Sequence, residues 1–320
     1  MFTSNWSEFV KGVSARIDEV IDQTQELKPS FMNAGLWEEK QADGMIYRTE
    51  GVTGLNYLER FDEGDSIKED RTYPAYKTEY VMIPTGKIIS ISQMLMKTRA
   101  SELESKLDEV SQAMVAANRT LNKWAWQVLV DGFTTTDSKT NFPISRLSDA
   151  VAMFSTAHPS KVPGVSNRSN NVASNAVLSE TNLFSAIKMV REQKNGRGLP
   201  INYDGKFVLV VPTALEKTAQ EITKSSLRSG TANNDLNYYE GVVDVIATSY
   251  LGSTNGGSET AWYVFAKDVA PIMKYVSLIK PKIEKQVDFD TKAIRVSIDM
   301  ACAFGYSAFE YAAASKGTGV

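Results

Sequence analysis

The sequence predicts an α+β fold, and three observations carry that prediction. A stretch of about 30 residues, 101–131, repeats apolar side chains at helical spacing. Segments on either side of it, within 46–92 and 276–305, alternate apolar and polar residues as paired strands do. Between 200 and 275, short strands and short helices take turns, the pattern of a small α/β module.

Composition agrees with a folded chain and narrows what it does. The 320 residues are 42% hydrophobic and 23% charged, enough for one large or two ordinary globular domains. Its 35 basic and 38 acidic side chains give a net charge of −3, so it lacks the basic field of a dedicated nucleic-acid binder. Net charge leaves a weak local contact with DNA open. The single cysteine, Cys302, excludes an internal disulfide and a cysteine-cluster zinc site, and the single histidine, His158, excludes a histidine pair on a metal. The N-terminal "MFTSNWSEFVKGVSARIDEV" has no apolar core of a signal peptide, and no run of 18 apolar residues occurs. The expectation is a protein that stays in the cytoplasm where it is made, away from membranes.

Residues 5–27 place Trp6, Phe9, Val13, Ile17, Val20 and Ile21 on one face of a helix that ends before Pro29. Such a helix either packs on its own core or lies as an arm on a neighbour. In 46–92, "LNYLERF", "AYKTEYVMI" and "GKIISIS" read as strands, and "DEGDSIKEDRTYP" between the first two crowds Asp62, Glu63, Asp65, Lys68, Glu69, Asp70 and Arg71. So many charges stay in water, so the segment reads as the solvated tip of a long hairpin without the residue order of a calcium loop. A two-stranded ribbon is marginal on its own and makes sense if something covers it.

The helix at 101–131 opens with a Ser101/Glu104 capping box and closes at Gly132. Leu103, Leu107, Val110, Met114, Ala117, Leu121, Trp124 and Val128 follow at intervals of 4, 3, 4, 3, 4, 3 and 4. One narrow stripe thus runs along ~45 Å of helix. That spacing also fits a coiled coil, but Met114, Ala117, Trp124 and Trp126 are poor zipper residues, and the strands around them suit a helix laid across a sheet.

The next segment, 134–176, is loop-like. Ser179 or Thr181 then caps a helix to Lys194 with Leu183, Phe184, Ile187 and Val190 on one face, stopped by Asn195-Gly196. "KFVLVVP" is a buried strand, Thr213 and Glu216 box a short helix with Leu215, Ala219 and Ile222, and "VVDVIA" and "WYVFA" are two more strands. "RSGTANNDLNYYEG" is a long polar loop. The final hairpin puts Ile283, Val287 and Phe289 on one face and Ile294, Val296, Ile298 and Met300 on another around Asp290-Thr291-Lys292, before a frayed tail, "ASKGTGV".

Few residues advertise chemistry. His158 stands in "MFSTAHPSKV", close to Ser155 and Thr156, so a hydrolase would have to be built on it. No Gly-x-Ser-x-Gly elbow accompanies it, and Cys302 falls on the apolar register of its strand, where a small buried side chain is expected. "NGRG" at 195–198 stops a helix but lacks the Gly-Lys-Ser/Thr of a phosphate loop.

The order of parts is more specific than any motif. "IPTGKIISISQMLMKTRASELESKLDEVSQAMVAANRTLNKWAWQVLVDG", "MFSTAHPSKV" and "RVSIDMACAFGYSAFEYAAA" together resemble the major capsid proteins of tailed double-stranded-DNA phages, with the Hong Kong 97-like fold. The second phrase is similar to one in Mu-like major head subunits. The resemblance implies an N-terminal arm (1–45), an E-loop hairpin (46–96) and a peripheral domain with its spine helix (97–199). It also implies an axial domain (200–275), a second peripheral hairpin (276–305) and a return to the axial domain with a tail (306–320). It implies a non-enzymatic shell protein without cofactor or metal, forming pentamers and hexamers of an icosahedral virion capsid assembled in the bacterial cytoplasm. The expected partners are other copies of itself, a separate scaffolding protein, a portal, a decoration protein and weakly held DNA. Trp6, Phe9 and Val13 of the arm, Glu63, Asp65, Lys68, Arg71 and Lys77 of the hairpin, and Arg228, Asn233, Asn234 and Asp235 of the polar loop are the expected assembly contacts. An encapsulin-like compartment, a coiled-coil scaffold and a His158 hydrolase are the rival readings.

Overall fold

The stripe on the long helix needs an apolar surface as long as itself, and the closing strands supply one. In a computed structural model, describing residues 15–19, 28–64, 66–67, 69–92, 95, 100–137, 142–172, 175–225, 237–288, 290 and 293–319, helix α1 spans Ala100–Val130. It crosses a four-stranded sheet of order β1-β8-β9-β4, made of Trp37–Gln41, Met273–Val287, Ile294–Tyr306 and Ile83–Ile91. Strand β1 runs parallel to β8, and the other two pairings are antiparallel. Leu107, Val110, Met114, Ala117, Leu121 and Val128 are buried with Ile283, Ile294, Val296, Ile298, Met300 and Phe304 in one core. The stripe therefore packs on its own sheet rather than in a coiled coil. Beyond Leu121 the helix is buried almost all round: Trp126 meets Trp37 edge to face at 4.8 Å, and Trp124 stacks on Phe142 at 4.1 Å.

Gly132 does not act as a left-handed helix cap. It lies in a 3-10 turn, Asp131–Phe133, and a Cβ there would stand 2.8 Å from the Phe154 ring. The glycine is a packing requirement, and its carbonyl accepts from the Phe154 N–H at 2.8 Å.

The second sheet has the order β10-β7-β5-β6, from Ala312–Ser315, Trp262–Ala266, Phe207–Pro212 and Val243–Thr248. Strand β5 is buried throughout, and its period of two divides it between two cores. Val208 and Val210 face the core under α1, while Phe207, Leu209 and Val211 face a second core capped by α2 (Glu180–Arg191) and α3 (Glu216–Thr223). Ser179 caps α2 as expected, accepting from the Asn182 N–H at 3.3 Å. Phe184 is not on its buried face: Ala186 takes that place with Leu183, Ile187 and Val190, and Phe184 is 49% exposed beside Tyr238. A single 3-10 turn, Thr213–Leu215, precedes α3 in place of the expected capping box, with no side-chain cap bond. The tail is not frayed through 319. Ser315 Oγ donates to the Ala176 carbonyl at 2.7 Å, the Lys316 carbonyl accepts from Thr260 at 2.9 Å, and Gly319 N–H donates to the Asn175 carbonyl at 2.9 Å.

The ribbon is two-stranded only at its base. Strands β2 (Ile46–Thr49) and β3 (Thr78–Val81) pair antiparallel, and one further bridge joins Val52 to Pro74. The expected strand in "LNYLERF" is absent: 55–61 forms no ladder. A strand needs a covered face, and Leu55, Tyr57, Leu58 and Phe61 all point to water, Leu58 at 96% exposure.

Candidate functional site

Beyond α1 the chain buries Phe142, Met153 and Phe154 in the main core and bends at 153–156. His158 follows in the interior with no exposed surface. Its Nδ1 lies 2.8 Å from Asp149 Oδ2 and its Nε2 lies 3.1 Å from Asn170 Oδ1. The amide of Asn170 is oriented by its other bonds: Nδ2 donates to the Met153 carbonyl at 2.8 Å, and Oδ1 also accepts from the Ser155 N–H at 2.9 Å. Both ring nitrogens therefore face acceptors. The ring lies flat on Phe309 at 3.6 Å, and the Arg168 guanidinium, bonded to Glu310 at 2.8 Å, stands 4.6 Å from that same phenyl ring. The main chains of His158 and Arg168 exchange two further bonds, at 2.7 and 2.9 Å.

An Asp–His pair is half of a hydrolytic triad, but the other half is missing here. The second ring nitrogen meets an amide oxygen instead of a hydroxyl, and Ser155 Oγ accepts from the Ala157 N–H at 3.2 Å. Cys302 sits in the sheet core, where burial pushes its thiol up to about 12, so it is no thiolate at neutral pH. The hydrolase reading loses its base and its nucleophile together. What the arrangement does is brace: it joins 149–158, 168–170 and 309–310 through buried polar side chains bonded to one another.

The expected contact residues distribute differently. Glu63 and Arg71 are exposed on the ribbon; Arg71 is held through its backbone carbonyl, which accepts from Arg197. Lys77 is ion-paired with Glu79 at 3.2 Å, and Lys77 and Arg48 together hold the Glu79 carboxyl below its ordinary range. Lys77 and Glu79 share a face because strand side chains alternate, a pairing the sequence already contained. Trp6, Phe9, Val13, Asp65, Lys68, Arg228, Asn233, Asn234 and Asp235 lie outside the described residues. Of the N-terminal helix, 15–19 is described as helical, and Ile17 is buried in the subunit's own core, with Asp18 paired to Lys285. That turn packs at home rather than on a neighbour. Sequence reasoning missed Asp149, Asn170 and Arg197, in stretches whose Ser, Asn and Gly content reads as loop, and Phe309, in the apolar return after the last long strand.

Apart from that brace, the most distinctive surface is apolar. Val52, Leu55, Tyr57, Leu58, Phe61 and Ile67 are all exposed on one ribbon, with Ile67 at 76%. Apolar side chains clustered in this way mark a contact surface.

A family model described as phage capsid protein matches residues 76–316. The chain belongs to that family. Solved structures agree on the fold. A structure of Mycobacterium phage Patience is 10% identical, covers 98% of this chain and 87% of its own, and gives a TM-score of 0.55. The capsid of Myoviridae phage XM1 is 12% identical over 90% of this chain and 91% of its own, with a TM-score of 0.52. The capsid of the cyanophage P-SCSP1u is 15% identical over 87% and 85%, with a TM-score of 0.51. No curated protein sequence matches. The mixed helix-and-sheet architecture of this capsid protein is the Hong Kong 97-like fold. Its place is the capsid shell of a virion.

Proposed function

We propose that this capsid protein closes into an icosahedral shell of pentamers and hexamers around double-stranded DNA, and that it does so without catalysing a reaction. The observation that carries the reading is the ribbon, on which Val52, Leu55, Tyr57, Leu58, Phe61 and Ile67 are all left in water. A ribbon of this kind gains by lying on another copy, where each newly buried side chain contributes about 1.5–3 kcal/mol. In this reading residues 46–96 are the E-loop and 97–199 with 276–305 form the peripheral domain around its spine helix. Residues 200–275 are the axial domain, and 306–320 return to it. The arm at 1–45 contributes Trp6, Phe9 and Val13, and the loop with Arg228, Asn233, Asn234 and Asp235 lies where axial domains converge. Assembly takes place in the bacterial cytoplasm on a separate scaffolding protein, with a portal at one vertex and a decoration protein outside. The acidic balance suits a container that holds DNA weakly.

The test is a sizing column followed by negative-stain electron microscopy of the heaviest fraction, with and without the scaffolding protein. Closed isometric particles, or rings of five and six, are expected. A single small oligomer under every condition would overturn the reading. Shells that hold an enzyme and no nucleic acid would point to a cargo compartment instead.

A further inference from the structure

The turn Asn195-Gly196-Arg197-Gly198 looks in the sequence like a helix stop and nothing more. In the structure it is fastened internally: Asn195 Oδ1 accepts from the N–H groups of Arg197 (2.9 Å) and Leu199 (3.0 Å). Gly198 N–H donates back to the Asn195 carbonyl at 3.0 Å, with Gly198 at φ +84°. The turn is also pressed against the ribbon, since a Cβ on Gly196 would stand 2.9 Å from Thr53 Cγ2. Ser160 Oγ holds the Gly196 carbonyl at 2.6 Å, and Lys161 reaches the Ala75 carbonyl at 3.0 Å.

From this platform the Arg197 side chain, only 4% exposed, grips the ribbon. One guanidinium nitrogen donates to Asp70 Oδ1 at 2.9 Å, another donates to the Arg71 carbonyl, and the group lies 5.8 Å from the centre of the Tyr73 ring. Asp70 in turn accepts from the Asn56 N–H at 2.7 Å across the ribbon, so one carboxylate ties its outgoing and returning segments to the turn. That N–H, then Arg197, holds the Asp70 carboxyl below its ordinary range. An arginine offers two separate nitrogens in a rigid fork, one for each acceptor, where a lysine offers a single ammonium. Past this point Tyr57, Leu58, Phe61 and Ile67 face solvent. The grip thus sits at the border between the anchored base of the ribbon and its unsupported end.

We infer that Arg197 is a clasp that fixes the direction in which the ribbon leaves its own subunit, and that a second copy receives the ribbon in that direction. The second half rests on the shell reading above. Full-length Arg197→Ala, Asp70→Asn and the exchange Arg197→Asp with Asp70→Arg are compared with the unaltered chain as unassembled subunits. Trypsin cleavage after Arg60, a site that none of the substitutions alters, followed by mass spectrometry, should be about tenfold faster in the single variants, at an unchanged unfolding midpoint, and slower again in the exchange. Equal cleavage in all four overturns the clasp, whatever the shells look like. In assembly reactions the single variants should give particles of broadened size by electron microscopy. Particles as uniform as those of the unaltered chain, from a variant whose ribbon is cleaved faster, overturn the second half. If the unaltered chain forms no particles at all, the shell reading fails while the cleavage result on the clasp stands.

Discussion

The loop around His158 and the ribbon at 46–92 are both rich in polar residues, and they meet water in opposite ways. In the loop, polar side chains are buried and each finds a partner: His158 between Asp149 and Asn170, Arg168 on Glu310, and the Phe309 ring between imidazole and guanidinium. In the ribbon, apolar side chains stay exposed, Leu58 most of all. The first region turns its polar groups inward to the subunit's own fold, and the second leaves apolar groups in water. Composition does not separate these two outcomes, because it counts residue types and not what surrounds them.

The largest effect that tests this contrast is Phe309→Ala. It removes a buried ring stacked on His158 and should lower stability by about 4 kcal/mol in chemical denaturation. Asp149→Ala comes next: it leaves the His158 Nδ1 buried without its acceptor and should cost about 3 kcal/mol. Because both residues contact the same imidazole, the double variant should lose less than the sum, and strict additivity would break the picture of a single brace. Leu58→Ser should change subunit stability by no more than about 0.5 kcal/mol while lowering the yield of particles in sedimentation. If it destabilises the subunit as much as Asp149→Ala does, the ribbon belongs to the fold and the contrast fails. The smallest effect is a silence. With its thiol pushed up to about 12 by burial, Cys302 should stay unreactive towards a disulfide reagent at neutral pH in the native subunit and react fully in denaturant.

Much of the fold was legible because it rests on periodicity. The stripe from Leu107 to Val128, the β5 run of six buried residues and the β8–β9 hairpin each announce which face is covered, and the structure covers those faces. "LNYLERF" misled for the same reason in reverse: it alternates well enough for a strand, but a ladder forms only where a partner chain lies beside it. Phe184 was given the buried place that Ala186 takes, two residues on, since a stripe read from large apolar residues alone passes over a small one.

The functional surfaces divide along the same line. His158 is unique in the chain, so the sequence could single it out, but its partners lie 9 and 12 residues away in an irregular loop. Arg197 and Asp70 are 127 residues apart. No local pattern marks such pairs, because the chain between them folds independently of their meeting. By itself the sequence determined the class of fold, the long helix and its sheet, and the lack of any metal-binding histidine pair, all of which follow from counts and spacing. Only the tertiary structure decided which groups hold His158, and which arginine grips the ribbon. A side chain's role depends on what stands within about 3 Å of it, and that is set by packing between distant segments.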